Sequence, residues 1–129
     1  MIRNTKQREA IRRVIEEAGR PLSAAEVLTS AGLYAPGLGM ATVYRTLNAL
    51  VDEGLAVAVP IPGEPPRYES HDAASRHHHH FHCDNCGRVF EVPGCPQGID
   101  HLAPPGFIIQ RHDLVLYGRC SACTEPPRT

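Results

Sequence analysis

Apolar residues recur at helical spacing in the first part of the chain. They stand three or four positions apart between Thr5 and Ala18, and the pattern stops at Gly19, which predicts a first helix. Ser23 stands three residues before Glu26, and this capping-box pattern predicts that a second helix begins there. Two short amphipathic helices are therefore expected at the start of the fold.

A third helix and a hairpin are predicted next. Apolar positions on one side indicate a helix from about Met40 until Gly54 ends it. Residues 55–61 have the composition of a strand, and the turn-rich segment 62–66 separates them from a second strand. Three short helices closed by a hairpin indicate a winged helix-turn-helix over residues 1–70, a fold that places its third helix in the DNA major groove.

The third predicted helix has three polar or aromatic residues near its start. Thr42, Tyr44 and Arg45 occupy exposed positions in the helical pattern. Tyr44 can contact a base edge or a thymine methyl group, and Arg45 can contact a phosphate or a guanine. Spacing alone leaves open whether they contact DNA or are ordinary surface residues.

The second half of the chain predicts a small α+β domain. Residues 81–92 indicate two strands joined by a turn, and residues 107–120 indicate two more. A short helix is predicted around residues 97–103. Bulky apolar residues are few, so the domain is expected to depend on bound metal. The organisation predicted after residue 70 is a hinge at 71–76, a metal-binding domain at 77–124 and a frayed tail at 125–129.

Composition and charge exclude several classes of protein. The five cysteines are an odd number and the start is not leader-like, which favours a cytoplasmic location over export. No apolar run approaches the roughly 20 residues of a membrane helix, so no membrane partner is expected. The net charge of −1 gives no overall sign of nucleic-acid binding, although residues 1–13 have five basic side chains against one acidic. With no phosphate cradle or nucleophile motif, we predict no enzymatic activity and no small-molecule substrate.

Two Cys-x-x-Cys pairs give the strongest chemical signal. They are Cys83 with Cys86 and Cys120 with Cys123. Each pair can reach around one ion through a tight turn, and four thiolates complete a tetrahedral zinc shell. The pattern predicts a structural zinc site, and a redox dithiol is the alternative that two matched pairs disfavour.

A run of histidines immediately precedes the first pair. Residues 77–83 are HHHHFHC, so every residue except Phe81 can bind metal. Alternate side chains of a strand face opposite sides, so His78 and His80 point one way and His77 and His79 the other. Two metal sites flanking one strand are therefore expected. An affinity tag would stand at a terminus, and a non-specific metal-binding patch is the remaining alternative.

The two faces of the strand have different prospective partners. On the first face, Glu91 from the following strand and either Glu69 or His71 at the hinge could join His78 and His80, which would tie the two halves together.

On the second face, His112 and Cys95 could join His77 and His79. Three nitrogens and one sulfur suit zinc, whereas manganese and ferrous iron are more often held with added carboxylates. Cys95 as an ordinary buried residue is the alternative.

These motifs together resemble the ferric uptake regulator family over nearly the full length of the chain. The resemblance implies a homodimer with an N-terminal winged helix and a C-terminal dimerisation domain, which binds operator DNA and represses genes when its regulatory metal is bound. The segments that resemble the family are TKQREAI at 5–11, ATVYRTLNAL at 41–50, RYE at 67–69, HHHHFHCDNCG at 77–87 and HDLVLYGRCSAC at 112–123.

The resemblance also implies roles for single residues. It makes the four paired cysteines structural zinc ligands, Tyr44 and Arg45 recognition-helix contacts, and Arg3 a minor-groove contact. The implied hinge sensing site consists of Glu69, His78, His80 and Glu91, and the implied dimerisation-domain site includes His77, His79 and His112.

Three departures from the family pattern affect the sensing sites. Pro21 replaces a histidine that many members use as a further hinge ligand. Two extra residues before the histidine run leave His71 as a rival of Glu69. Cys95 stands where members often have a carboxylate.

The HHHH run is similar to that of the zinc-sensing branch. We therefore predict a metal-responsive repressor with structural Zn²⁺ and regulatory Zn²⁺, with Fe²⁺, Mn²⁺ or peroxide sensing as alternatives. The alternative from another class is a small zinc hydrolase in which His78 and His80 hold an activated water and Glu91 is the base.

Overall fold

The computed structural model describes residues 5–74 and 78–124. The chain divides into two compact units, Met1–Arg76 and His77–Thr129. No helix in the described ranges is long and apolar enough to cross a membrane.

The first unit has three helices and a hairpin. The helices are α1 (Thr5–Ala18), α2 (Ala24–Ala31) and α3 (Met40–Asp52), and the hairpin joins β1 (Ala56–Ile61) to β2 (Glu64–Ser70). The element order and the fold class predicted from the sequence are confirmed.

The capping box sets the start of α2. The backbone N–H of Glu26 donates to Ser23 Oγ at 3.1 Å, and the Ser23 N–H donates to Glu26 Oε1 at 2.9 Å. These two bonds satisfy donors that every helix leaves free at its N-terminus.

The apolar faces of the three helices meet in one core. Ile11, Val27, Leu47 and Leu50 are completely buried there. Deleting the side chain of such a residue costs about 2–5 kcal/mol, because the lost burial adds to the cavity left behind. This core holds α3 in place, and the opposite side of α3 faces solvent.

The hairpin differs from the prediction in its turn. Only Pro62 and Gly63 form the turn, and the residues from Glu64 onward already belong to β2. Gly63 has φ +77°, a left-handed conformation that glycine adopts without strain. Pro65 and Pro66 follow in β2 although proline has no backbone N–H. Both strands of a two-stranded sheet are edge strands, where a missing N–H donor is tolerated. The segment 62–66 was therefore wrongly predicted to be turn throughout.

Glu26 also joins α2 to the hairpin through ion pairs. Its carboxylate lies 3.0 Å from Arg20 Nη2 and 3.5 Å from Arg67 Nη1, and Arg67 is almost fully buried. Burial alone would raise the pKa of Glu26, but the Ser23 N–H and the two guanidinium groups outweigh it and lower the pKa.

A lowered pKa makes the stability of this unit depend on pH. The ionised Glu26 stabilises the fold above the unfolded pKa near 4.5, and we expect that contribution to disappear as the pH falls through the folded value. Denaturant unfolding of the wild type and of Glu26→Gln between pH 3 and 7 measures it. The stability gap between them should be largest at neutral pH and close in acid. A gap independent of pH would contradict this assignment.

The second unit is a three-stranded sheet with little apolar core. Its strands are β3 (His78–Cys83), β4 (Val89–Pro93) and β5 (Val115–Gly118), in the order β4-β3-β5. β3 is antiparallel to β4 and parallel to β5. A 3-10 helix at Ile99–Leu102 occupies the place of the short predicted helix.

Within the segment 71–76, predicted as a hinge, His71–Ala74 form a short helix, α4. One prediction for the later residues was wrong. Residues 107–120 were expected to form two strands, but only β5 forms, and 107–114 has no strand. Phe107 and Ile108 are 69% and 86% exposed, so their apolar character does not reflect burial in a sheet of this unit.

Candidate metal centres

The four paired cysteines converge at one end of the sheet of the second unit. Cys83 ends β3, and Cys120 follows β5, which is its parallel neighbour. Each of the four sulfurs lies within 4.8 Å of the others.

The Sγ atoms of Cys86 and Cys120 are 3.8 Å apart. A zinc ion about 2.3 Å from each sulfur sets tetrahedral neighbours about 3.8 Å apart, whereas a disulfide needs about 2.05 Å. The cluster therefore fits one zinc ion and not a disulfide.

Backbone donors surround the most buried of these sulfurs. The N–H groups of Cys86 and Cys120 each donate to Cys83 Sγ at 3.4 Å, and they lower the pKa of Cys83 to about 6.

The surroundings of Cys123 change its pKa in the opposite direction. The Asn85 side chain lowers its pKa, but the neighbouring thiols and burial outweigh that effect and raise the pKa to about 11. Four adjacent thiols cannot all ionise without a compensating cation, and a zinc ion supplies that charge.

On one side of β3, His79 lies close to two residues that are far from it in the sequence. His79 Nε2 lies 3.2 Å from His112 Nε2, which in turn lies 2.9 Å from Cys95 Sγ. His79 is buried, and its ring lies 4.9 Å from that of His112. All three donor atoms lie within 4.8 Å of one another, a spacing that one metal ion can bridge. We call these three residues the thiolate set.

The opposite side of β3 brings together His78, His80 and Glu91, which we call the carboxylate set. His80 is paired with Glu91 across β3 and β4, and His78 Nε2 lies 3.8 Å from Glu91 Oε1. The two imidazole rings are 4.9 Å apart, and their Nε2 atoms are shielded from solvent. Two imidazoles and a carboxylate form a donor set that zinc, iron and manganese all accept.

Two other sequence-predicted ligands belong to the first unit. Glu69 lies on β2 in the first unit and is 2% exposed, and His71 begins α4 and is exposed. His77 and Arg3 lie outside the described residues.

No role was predicted for His82 from the sequence. It is buried, with its Nδ1 3.5 Å from Asp84 Oδ1 and its ring 5.5 Å from that of Tyr117. The nearby carboxylate two residues later was the sequence signal that could have drawn attention to it.

The predicted DNA-contacting residues lie at the start of α3. Tyr44 is 39% exposed and Arg45 is also exposed, while Val43 on the other side of the helix is buried in the core. Arg45 Nη2 donates to Thr42 Oγ1 at 3.1 Å, which restrains the guanidinium beside the helix. Thr42 itself is half-buried.

Comparisons with known proteins all point to one family. The model of the ferric uptake regulator family matches residues 1–117. The ferric uptake regulation protein of Bordetella parapertussis is 34% identical over 109 residues, covering 82% of this chain and 77% of that protein. The peroxide operon regulator of Bacillus subtilis is 28% identical over 128 residues, covering 96% and 86%.

A solved structure shows the same likeness. The ferric uptake regulator Fur of Helicobacter pylori, reported to have three functional metal binding sites, matches with a TM-score of 0.70 and 27% identity. The match covers 98% of this chain and 85% of that one.

Proposed function

Because the chain belongs to the ferric uptake regulator family, we propose that it is a transcriptional repressor that binds operator DNA when Zn²⁺ occupies a regulatory site. The observation that supports a metal response most strongly is the pair of donor sets on opposite sides of β3, beside the four-cysteine cluster. The Helicobacter pylori relative, with its three functional metal binding sites, supports the same interpretation.

Zinc is the signal that the HHHH run favours, because this run is similar to that of the zinc-sensing branch, and the donor chemistry of the thiolate set agrees with it. The thiolate set combines two imidazoles with the sulfur of Cys95, and zinc accepts both kinds of ligand readily. Iron and manganese are the alternatives, since the carboxylate set suits them as well. Peroxide sensing is a further alternative, and the Bacillus subtilis relative is a peroxide operon regulator.

We assign DNA recognition to the outer side of α3. Tyr44 and Arg45 are exposed there and the core holds the opposite side of the helix, so both side chains are free to enter a groove. Thr42 would position Arg45, and Arg3 is proposed from the sequence alone as a minor-groove contact.

We also propose that the protein acts as a homodimer. Within residues 78–124 five large apolar or aromatic side chains are 41% to 86% exposed, which supports their burial against a second copy. They are Leu102, Phe107, Ile108, Leu116 and Tyr117.

The proposed switch is a shift between populations of conformations. His78, His80 and Glu91 would hold the regulatory ion, and either Glu69 or His71 is proposed from the sequence as the ligand from the first unit. A bound cation supplies the charge that draws these ligands together. The ion can favour the DNA-binding arrangement only if it binds that arrangement more tightly than the other. A ligand from the first unit would provide this difference in affinity.

Metal-dependent DNA binding tests the proposal directly. A duplex is selected from a random pool by the metal-loaded protein, and its binding is then titrated at buffered free Zn²⁺, Mn²⁺ and Fe²⁺ and at one fixed salt concentration. We expect Zn²⁺ to activate binding at a much lower free concentration than the other ions, and chelator to reverse it. An equal response to all three ions would remove zinc as the signal. DNA binding that ignores chelator would overturn the proposed function itself.

A further inference from the structure

We propose that the two sides of β3 discriminate between metals differently: the thiolate set selects Zn²⁺ over Mn²⁺ and Fe²⁺, and the carboxylate set accepts all three. This inference rests on the proposed function and deepens it, because it states which of the two donor sets discriminates between metals. It concerns metal binding alone, however, and is tested without DNA.

The geometry of the thiolate set fits a single tetrahedral ion. Zinc bonds of about 2.0–2.1 Å to nitrogen and 2.3 Å to sulfur set neighbouring nitrogens about 3.3 Å apart and nitrogen and sulfur about 3.6 Å apart. The observed distances are 3.2 Å between His79 and His112 and 2.9 Å between His112 and Cys95. A small rotation of the exposed Cys95 side chain supplies the difference.

The three ligands come from separate parts of the unit. His79 lies on the central strand, Cys95 lies in the loop after β4, and His112 lies just before β5. The antiparallel and parallel pairings of β3 fix the segments that flank it on both sides. The site is therefore built by the sheet, and its ligands are not neighbours on one flexible loop.

The difference between the two sets is one donor atom type. A thiolate is a soft ligand that favours zinc strongly, whereas manganese and ferrous iron favour carboxylates and imidazoles. The carboxylate set replaces the sulfur of Cys95 with an oxygen of Glu91 and keeps two imidazoles. The carboxylate set takes both imidazoles from β3, whereas the thiolate set takes His79 from β3 and His112 from the segment before β5. Each set therefore has two nitrogen donors, and the third donor decides the preference between metals.

Cobalt absorption provides a direct test. The full-length protein is first loaded with one zinc ion per chain at the four cysteines and is then titrated with Co²⁺, while zinc retention is monitored. We expect a near-ultraviolet sulfur-to-cobalt band with visible bands of tetrahedral Co²⁺. Cys95→Ser should lose the near-ultraviolet band, and Glu91→Gln, the matched control on the other side of the strand, should keep it.

Metal competition measures the selectivity. Loss of a residue that only positions a metal ligand typically weakens metal binding by roughly 10–100-fold. Because Cys95 is itself a ligand, Cys95→Ser should weaken Zn²⁺ binding by more than that. Cys95→Asp should bind Mn²⁺ more tightly than the wild type and Zn²⁺ more weakly. The Asp variant keeps a ligand in place, so it remains informative if the Ser variant fails to fold.

Several results would overturn the inference. The wild-type protein could lack the near-ultraviolet band, or Cys95→Ser could keep the band unchanged. Equal competition of Mn²⁺ with Zn²⁺ at the thiolate set would also contradict the inference. If these metal measurements succeed while DNA binding ignores metal, the proposed function fails and the selectivity inference stands.

Discussion

Replacing Cys83 with serine should unfold the second unit. Within residues 78–124, the buried apolar side chains are those of Cys83 and Val89 alone, so burial contributes little to stability there. Structural zinc supplies about 10–16 kcal/mol in zinc-finger peptides, and removing one of the four thiolates weakens zinc binding and so the stability that it supplies. Zinc content should fall from one structural ion per chain to almost none. Amide hydrogen exchange should show protection lost in β3 and β5 and kept in α1–α3.

The first unit should survive the Cys83 substitution because its core is separate. Ile11, Leu47 and Leu50 pack within that unit, and none of them depends on the cysteine cluster. Ser121→Ala, an exposed change between the cysteines of the second pair, is the matched control and should retain zinc. If Cys83→Ser keeps a cooperative transition in the second unit without zinc, the cluster is not the main source of its stability.

Replacing His78 and His80 together with alanine should abolish the metal response. Both imidazoles lie in the carboxylate set, so the double variant leaves only Glu91 there. Coupling between a ligand and a distant site is typically about 5–150-fold in affinity. We therefore expect zinc-loaded double variant to bind DNA about as weakly as wild-type protein in chelator, measured by fluorescence anisotropy at fixed salt.

Two controls separate this effect from a general loss of structure. His101→Ala removes an exposed histidine of the 3-10 helix and should leave the response unchanged. Zinc content of the double variant should remain at least one ion per chain, held by the four cysteines. Unaltered metal-dependent DNA binding in the double variant would mean that these histidines sense nothing.

Local sequence patterns predicted the first unit well. The capping box at Ser23 and the apolar periodicity of α1 and α3 are local signals, and the helices form where those signals stand. Prediction was weaker in the second unit, where Phe107 and Ile108 suggested a strand that does not form. Apolar residues in a sequence indicate that their side chains are to be buried. They do not indicate whether a sheet of the same unit buries them.

The sequence by itself determined which donors are available and on which side of β3 each histidine lies. Donor type is a property of the side chain, and alternation is a property of any strand, so neither depends on the rest of the fold. Only the tertiary structure decided the distances between donors that are far apart in the chain. The sheet order β4-β3-β5 places Glu91 beside His78 and brings His112 to 3.2 Å from His79, because strand pairing fixes neighbours that sequence separation cannot.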